Sequence, residues 1–333
     1  MSLSHYPHGI SSFGQPVYGG TGIYNAPVMG KQYHVRKEAD ANYSYWYSNM
    51  QGKHADGTDV VHTSINSAIA AADDYDTIWV YPGQYKESAT INITQNHLRL
   101  LAVQTGPSHA FTRTEIRQHG NVDTPCITIN AHAVEVAGFR ITPYSSNTSI
   151  GILAGSTQSP YGIYIHDNYF YAVEIGWMAS AIHLGDDTLS YDCDSACIFN
   201  NAFYAGGSST YGGGGTGTAT GIVQIWKATR FDIRGNLFHQ YTNHSTNYAI
   251  NIYHHAGYRG TILDNRFFAA EIASSGTTER VCVAINNPVA TPGDCIIDGN
   301  HFVFYSSDAQ CIASDLDACT GLNYINETAI SSG

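Results

Sequence analysis

Charge is scarce in this 333-residue chain: Asp, Glu, Lys and Arg together make up 13%, about half the usual share. Cations are the scarcest part, with 15 Lys plus Arg, five of them lysine, against 27 Asp plus Glu and a net charge of −12. Such a surface cannot neutralise a phosphate backbone, which argues against nucleic acid as a partner. Long apolar runs are missing too. Nothing approaches the ~18 unbroken apolar residues that cross a bilayer, and the opening MSLSHYPHGI lacks the basic-then-apolar layout of a signal peptide. No membrane partner is expected, and the chain reads as soluble and not exported by that route. Seven cysteines (126, 193, 197, 282, 295, 311 and 319) are an odd number in a chain of this length and make no small disulfide framework. Reduced, mostly buried thiols are expected. What is plentiful is apolar and small: 43% hydrophobic residues, 33 Gly and 24 Tyr, a composition that folds rather than staying disordered.

A repeat organises the second half. Five phrases recur: IHDNYF (165–170), IFNNAF (198–203), IRGNLF (233–238), ILDNRF (262–267) and IDGNHF (297–302). Each reads Ile, two residues, Asn, one residue, Phe. Their asparagines, Asn168, Asn201, Asn236, Asn265 and Asn300, are 33, 35, 29 and 35 residues apart. Between them fall shorter alternating phrases, AIHLGD (181–186), GIVQIW (221–226), AINIYH (249–254), VCVAIN (281–286) and QCIASD (310–315), each with the two-residue period of a strand. No long helical pattern separates them, so a βαβ sheet and a helical solenoid are both disfavoured.

If each period is one turn of a coil, equivalent residues stack about 4.8 Å apart, the spacing of hydrogen-bonded strands. Asn tolerates the left-handed backbone of a tight bend. Stacked amides then bond coil to coil, with Phe170, Phe203, Phe238, Phe267 and Phe302 filling the interior beside them. The expected fold is all-β: a right-handed, single-stranded parallel β-helix (solenoid) with a short N-terminal capping helix and an extended N-terminal arm. Surplus residues in each period leave as loops, the Gly-rich run 206–217 being the clearest.

An open solenoid end exposes unpaired backbone and needs a cap. HTSINSAIAAA (62–72) offers a helix with Thr63 or Ser64 as N-cap and Ile65, Ala68, Ile69 and Ala72 on one face. DTIWVYPGQYKE (76–87) follows as a strand with Ile78 and Val80 on one side, ended by a Pro82-Gly83 turn. Three regions are expected: an arm over 1–57 for particle attachment, a β-helix over 58–305, and a final coil and cap over 306–333.

The order of amphipathic helix, DTIWVYPGQYKE, TINI (90–93), LRLLA (98–102) and repeated N-x-F coils resembles the pectin-lyase-like right-handed parallel β-helix superfamily. The resemblance covers roughly 58–315 and implies a shape rather than a reaction, since that fold hosts lyases, hydrolases, epimerases, adhesins and phage spikes. The leader PHGISSFGQPV and the segment YHVRKEADANYSYWYSNMQG (33–52) resemble the start of a group of bacteriophage virion β-helix proteins.

Candidate acids are Glu174, Asp186 and Asp187, with Asp192 and Asp194 nearby. Glycoside hydrolysis needs two carboxyl groups, one of raised pKa, and Asp186-Asp187 supplies part of that; adjacent acids at a strand end are more often a solvated loop. The superfamily's hydrolases carry Gly-His-Gly and Arg-Ile-Lys phrases, neither of which occurs here, and the local signatures of its calcium-dependent lyases are also missing. No catalytic residue is therefore assigned; if the chain is an enzyme, Glu174, Asp186 and Asp187 come first. Cys193 and Cys197 lack a second ligand pair for zinc and read as stacked interior thiols. His254-His255 points neighbours to opposite faces, and GTGTATG (215–221) lacks a phosphate-cradling order. No metal and no cofactor is expected. Tyr161, Tyr164, Tyr169, Tyr171 and Trp177 read as outward stacks or subunit contacts before sugar platforms.

The resemblance implies a non-enzymatic virion protein, a capsid decoration or spike, forming a homotrimer. Its arm would hold other virion proteins such as the major capsid protein, and it would stand on the virion surface after assembly in the bacterial host cytoplasm. The alternative is a tailspike that binds or cuts host surface glycan. A further one is a secreted carbohydrate-active enzyme or adhesin.

Overall fold

The computed structural model describes residues 30–37, 52–87, 89–103, 114–117, 124–142, 150–171, 180–185, 190–205, 220–240, 247–253, 259–269, 280–286, 295–304, 309–314, 319–320, 323–325 and 328–330. Within them the chain winds as a right-handed parallel β-helix. One turn runs Tyr164–His166, Tyr169–Tyr171, then Ser180–Leu184, before Ala196–Phe199 starts the next coil beside Tyr164–His166. Three sheets result, of 11, 10 and 8 strands, called first, second and third below. Every strand pair among the described residues is parallel except the closing one, where Asn323–Ile325 meets Thr328–Ile330 antiparallel. That hairpin ends the second sheet.

Register follows from burial, because a one-residue slip would turn each strand's apolar set outward. Ile165, Ile198, Ile233, Ile262 and Ile297 are successive partners on the first sheet, all 0% exposed. On the second sheet the interior column runs Tyr85, Ile116, Ile141, Phe170, Phe203, Phe238, Phe267 and Phe302. Its phenylalanine rings stack with centroids 5.0, 4.7, 4.9 and 4.8 Å apart. Each buried ring contributes about 1.5–3 kcal/mol by burial.

The amide ladder lies at the corner between the first and second sheets, and its five asparagines are at most 1% exposed. Asn236 shows the pattern. Its backbone N–H and its Nδ2 both donate to Asn265 Oδ1 at 3.0 Å, and Nδ2 also donates to the Ile198 carbonyl at 2.9 Å. Asn201 bonds Asn236 in the same way, Asn168 bonds Asn201, and Asn265 bonds Asn300. The tight bend, expected at the ladder asparagine, instead falls one residue earlier. Asp167, Asn200, Gly235, Asp264 and Gly299 have φ between 54° and 66°, and only Asp, Asn and Gly take that left-handed position readily. The ladder asparagine stays out of that region so that its amide points inward along the axis.

Helix α1 (Ile65–Ala71) closes the N-terminal end with Ile65, Ala68 and Ile69 buried. Ser64 is the N-cap and accepts from Ser67 N at 3.1 Å. The Glu87 carboxylate accepts from Ile65 N (2.8 Å) and Asn66 N (3.2 Å), filling orphan donors where the helix dipole favours an anion. Gln95 Nε2 serves the other end, donating to the carbonyls of Ile69 and Ala72. Glu87 and Gln95 thus bolt the plug to the first coils.

One boundary differs from expectation. Gln32–Val35, inside the stretch assigned to the arm, is a strand of the first sheet, between Val61–His62 and Thr77–Val80. Tyr33 and Val35 are buried in the core, so this part of the arm is solenoid. Residues 1–29 lie outside the described residues, as does the 206–217 run.

Asn236→Ala leaves Asn201 N–H and the Ile198 carbonyl without their buried partner, and is expected to cost about 1–3 kcal/mol. Phe238→Ala, which opens a cavity in the stack, should cost about 3–5 kcal/mol. Urea unfolding monitored by circular dichroism checks both; an unchanged midpoint for Asn236→Ala would contradict the ladder.

Candidate functional site

Function on a filled solenoid has to sit on the outside, so the outward columns define the candidate surfaces. On the first sheet, Arg99, Glu135, Tyr164, Cys197, Asp232 and Thr261 are successive outward partners. His166, Phe199 and Arg234 form the adjacent column. Glu135 accepts from Arg99 Nε at 2.5 Å and from His166 Nε2 at 3.0 Å, while His166 Nδ1 donates to Asp167 at 2.7 Å. The His166 ring lies flat on Phe199 at 4.5 Å. Arg234 sits 5.7 Å from the Phe199 centroid and 3.1 Å from Asp232, which accepts from Thr261 Oγ1 at 2.8 Å.

This network decides the protonation states. Burial opposes charge on His166, but hydrogen bonds to Asp167 and Glu135 overcome it and raise its pKa to about 9. Burial likewise opposes charge on Glu135, and the bonds from His166 and Arg99 bring its pKa down to about 2. General acid–base catalysis works best with groups titrating near the operating pH. An imidazolium and a carboxylate held this far from neutrality instead form an ionic clamp across coils.

The second sheet presents rings. Tyr171, Tyr204, His239 and Phe268 are aligned one per coil, with centroids 5.7, 4.9 and 6.1 Å apart. Tyr169 lies beside Tyr171 at 5.7 Å, and the Arg140 guanidinium covers Tyr171 at 4.3 Å. Glu115 accepts from Gln84 and Thr142, both at 2.7 Å. On the third sheet, Asn251 Nδ2 donates to Gln224 Oε1 at 3.1 Å, both side chains buried, and His183 stacks on Trp226 at 6.2 Å.

Glu174, Asp186 and Asp187 lie outside the described residues, as do Trp177 and His254-His255. Of the other acids, Asp192 accepts from Thr229 Oγ1 at 2.6 Å, and Asp194 is ion-paired by Arg230. Both tie neighbouring coils together. Cys193 is buried, and burial pushes its thiol pKa up. Cys197, expected inside beside it, faces outward between Tyr164 and Asp232, because alternation along Ala196–Phe199 places Ala196 and Ile198 in the core. Cys126, Cys193, Cys197 and Cys295 are free thiols. Among the described residues no cluster of three or more His, Cys, Asp or Glu has the makings of a metal site, and no helix is long and apolar enough to cross a membrane.

Glu135 had no motif to mark it, because its coil carries no I-x-x-N-x-F phrase; His166 lies inside the first such phrase, but its partner is in the coil before it. Aligning VEVAGFRI (134–141) under IYIHDNYF (163–170) brings them to neighbouring coils, with Phe139 in the place of Asn168.

No protein-family model and no curated protein sequence matches the chain. Solved structures do. A pectin methylesterase in complex with a hexasaccharide is 12% identical over 90% of each chain, with a TM-score of 0.45. An alginate lyase from Paenibacillus sp. is 12% identical over 79% of this chain and 93% of its own, with a TM-score of 0.39. An open reading frame product of Geobacillus virus E2 is 11% identical over 75% of this chain and 53% of its own, with a TM-score of 0.30.

The clamp gives a pH prediction with a definite sign. The His166 contribution is complete below its ordinary pKa of 6.5 and is lost as pH rises through about 9. The Glu135 contribution is complete above 4.5 and is lost as pH falls toward about 2. Urea midpoints between pH 6 and 10 should therefore fall by the equivalent of about 1–3 kcal/mol, and His166→Asn should flatten that slope.

Proposed function

We propose that the chain is a non-enzymatic structural protein of a bacteriophage particle, a β-helical decoration or spike displayed on its surface as a homotrimer. The observation that carries this reading is the unbroken amide ladder from Asn168 to Asn300, locked in parallel with the Phe170 to Phe302 stack. Axial hydrogen bonds in both backbone and side chains resist bending and unwinding, the property a projecting shaft needs. The outward acids, bases and histidine of the first sheet are held in the same structural task, as clamps between coils. The aromatic column Tyr171–Tyr204–His239–Phe268 supplies a face suited to subunit burial, since such rings are enriched at interfaces.

The phage context is supported by the PHGISSFGQPV leader. In this reading the leader anchors the protein to a partner such as the major capsid protein, leaving the solenoid outside.

Two measurements test it. Sedimentation equilibrium should give three times 36.1 kDa, and Tyr204→Glu, which places a charge in the ring column, should shift the equilibrium toward monomer. Gold-labelled antibody should decorate the surface of purified particles in cryo-electron microscopy, and deleting residues 1–29 should abolish decoration while preserving the melting temperature. Absence from particles would refute the assignment. Release of new reducing ends or unsaturated sugars from capsule or lipopolysaccharide, lost in Asp186→Asn or Asp187→Asn, would replace it with a depolymerising tailspike.

A further inference from the structure

Strand Gln32–Val35 has histidines packed on both of its faces. It lies out of sequence order between Val61–His62, which ends the first sheet, and Thr77–Val80, so these two strands can leave the sheet without unwinding a coil. Tyr33 and Val35 point into the core, and alternation turns His34 to the outer face, opposite Trp79 of the next strand. There Trp79, Leu101 and Ala137 make a small apolar patch. His34, 9% exposed, heads it with Nδ1 3.3 Å from the Tyr81 hydroxyl. On the other side two more histidines close on Tyr33, the His54 ring edge-on at 4.9 Å and the His62 ring at 5.5 Å. His54 Nε2 is buried with no hydrogen-bond partner among the described residues.

The surroundings suit neutral imidazoles. Asp59 faces His62, whose Nε2 lies 2.9 Å from its backbone carbonyl, but the Asp59 carboxylate is already paired with Lys53 at 3.0 Å. On the His34 side the nearby charge is a cation, Arg36, over the Tyr81 ring at 5.5 Å. Lys31 and Asp76 act on Tyr33; Lys31 is held by Asp56 and Asp73, and Asp76 accepts from the backbone N–H groups of Lys31 and Asp73. At the far end of the strand, Lys37 covers Tyr85. Helix α1, packed on both strands, contributes no titratable side chain, and neither does Thr77–Val80. Burial foremost, with His54 beside it, keeps His34 neutral and brings its pKa down to about 4. Burial lowers His62 as well.

We propose that this strand pair is an acid-released latch: when His34, His54 and His62 take up protons, Gln32–Val35 and Val61–His62 let go of the sheet while the coils from Thr77 onward stay wound. A histidine whose folded pKa lies below its ordinary 6.5 stabilises the closed form fully above that value, and progressively less as pH falls toward about 4. For His34 alone the ratio of open to closed strand rises about tenfold per pH unit across that window. Repulsion from Arg36 and Lys53 acts in the same direction. Opening returns the imidazolium groups to water and lengthens the tether between the leader, residues 1–29, and the coils. The latch goes beyond the particle reading and is tested on the isolated chain.

The experiment is hydrogen exchange of the full chain at pH 6.5 and 4.5, read by mass spectrometry and corrected for intrinsic exchange rates. Across this interval the clamp keeps both its charges, since His166 stays protonated below 6.5 and Glu135 ionised above 4.5. His239, also lowered by burial, lies in the second sheet and reports there. Peptides covering Gln32–Arg36 and Val60–His62 should lose about tenfold more protection, or greater, than the strands Ala196–Phe199 and Arg230–Arg234. Combining His34→Gln with His62→Gln should preserve their protection at pH 4.5. If that pair already loosens the strands at pH 6.5, His34→Phe, which keeps a ring against Trp79, is read in its place and should at least halve the loss on a logarithmic scale. Equal loss along the whole solenoid, no loss at all, or an undiminished loss in the variant read would each overturn the proposal.

Discussion

A chain that turns sharply inside its own core must find a partner for every peptide group at the turn, and this requirement governs the molecule. Burying an N–H or C=O without a partner costs about 1–3 kcal/mol, and the corner between the first and second sheets recurs in every coil. Asparagine solves it because one side chain carries both an acceptor and donors. Its Oδ1 receives the N–H and amide of the coil before it, and its Nδ2 reaches a carbonyl such as that of Ile198. Each asparagine completes its predecessor, so the solution works only as a column.

The outward faces divide into different surfaces for the same geometric reason. Parallel register brings equivalent positions together coil after coil, so a residue type chosen once is felt along the axis. On the first sheet this yields a run of ion pairs from Arg99 through Glu135 and His166 to Asp167, with Phe199, Arg234, Asp232 and Thr261 continuing it. On the second sheet it yields rings, Tyr171 to Phe268. The first set pairs its charges with one another across coils; the second lines up half-buried rings.

Legibility followed the repeat. The asparagine and phenylalanine columns were visible because a solenoid writes a contact between neighbouring coils as a fixed interval along the chain. The capping helix was visible from its own periodicity, Ile65, Ala68 and Ile69 on one face after Ser64. The left-handed bend was misplaced by one residue, although its signal was present in the Asp, Asn or Gly before each ladder asparagine. The strand Gln32–Val35 stayed hidden because four residues with no repeat partner carry no period, and it enters the first sheet out of sequence order. The pairing of Glu135 with His166 stayed hidden, although His166 lies in the first I-x-x-N-x-F phrase, because the coil of Glu135 has Phe139 in place of the ladder asparagine and lacks the phrase that would align it.

The amino-acid sequence alone determined the coil and its interior columns, because burial is a local property repeated at a regular interval. The tertiary structure alone decided which outward side chains meet. Contact across the surface depends on how many residues each coil sends into its loops, and those intervals vary from 29 to 35. A register set by hydrogen bonding brought Arg99 to Glu135 and Glu135 to His166, and the corner between the third and first sheets brought Tyr75 onto His97 and His132 onto Tyr161.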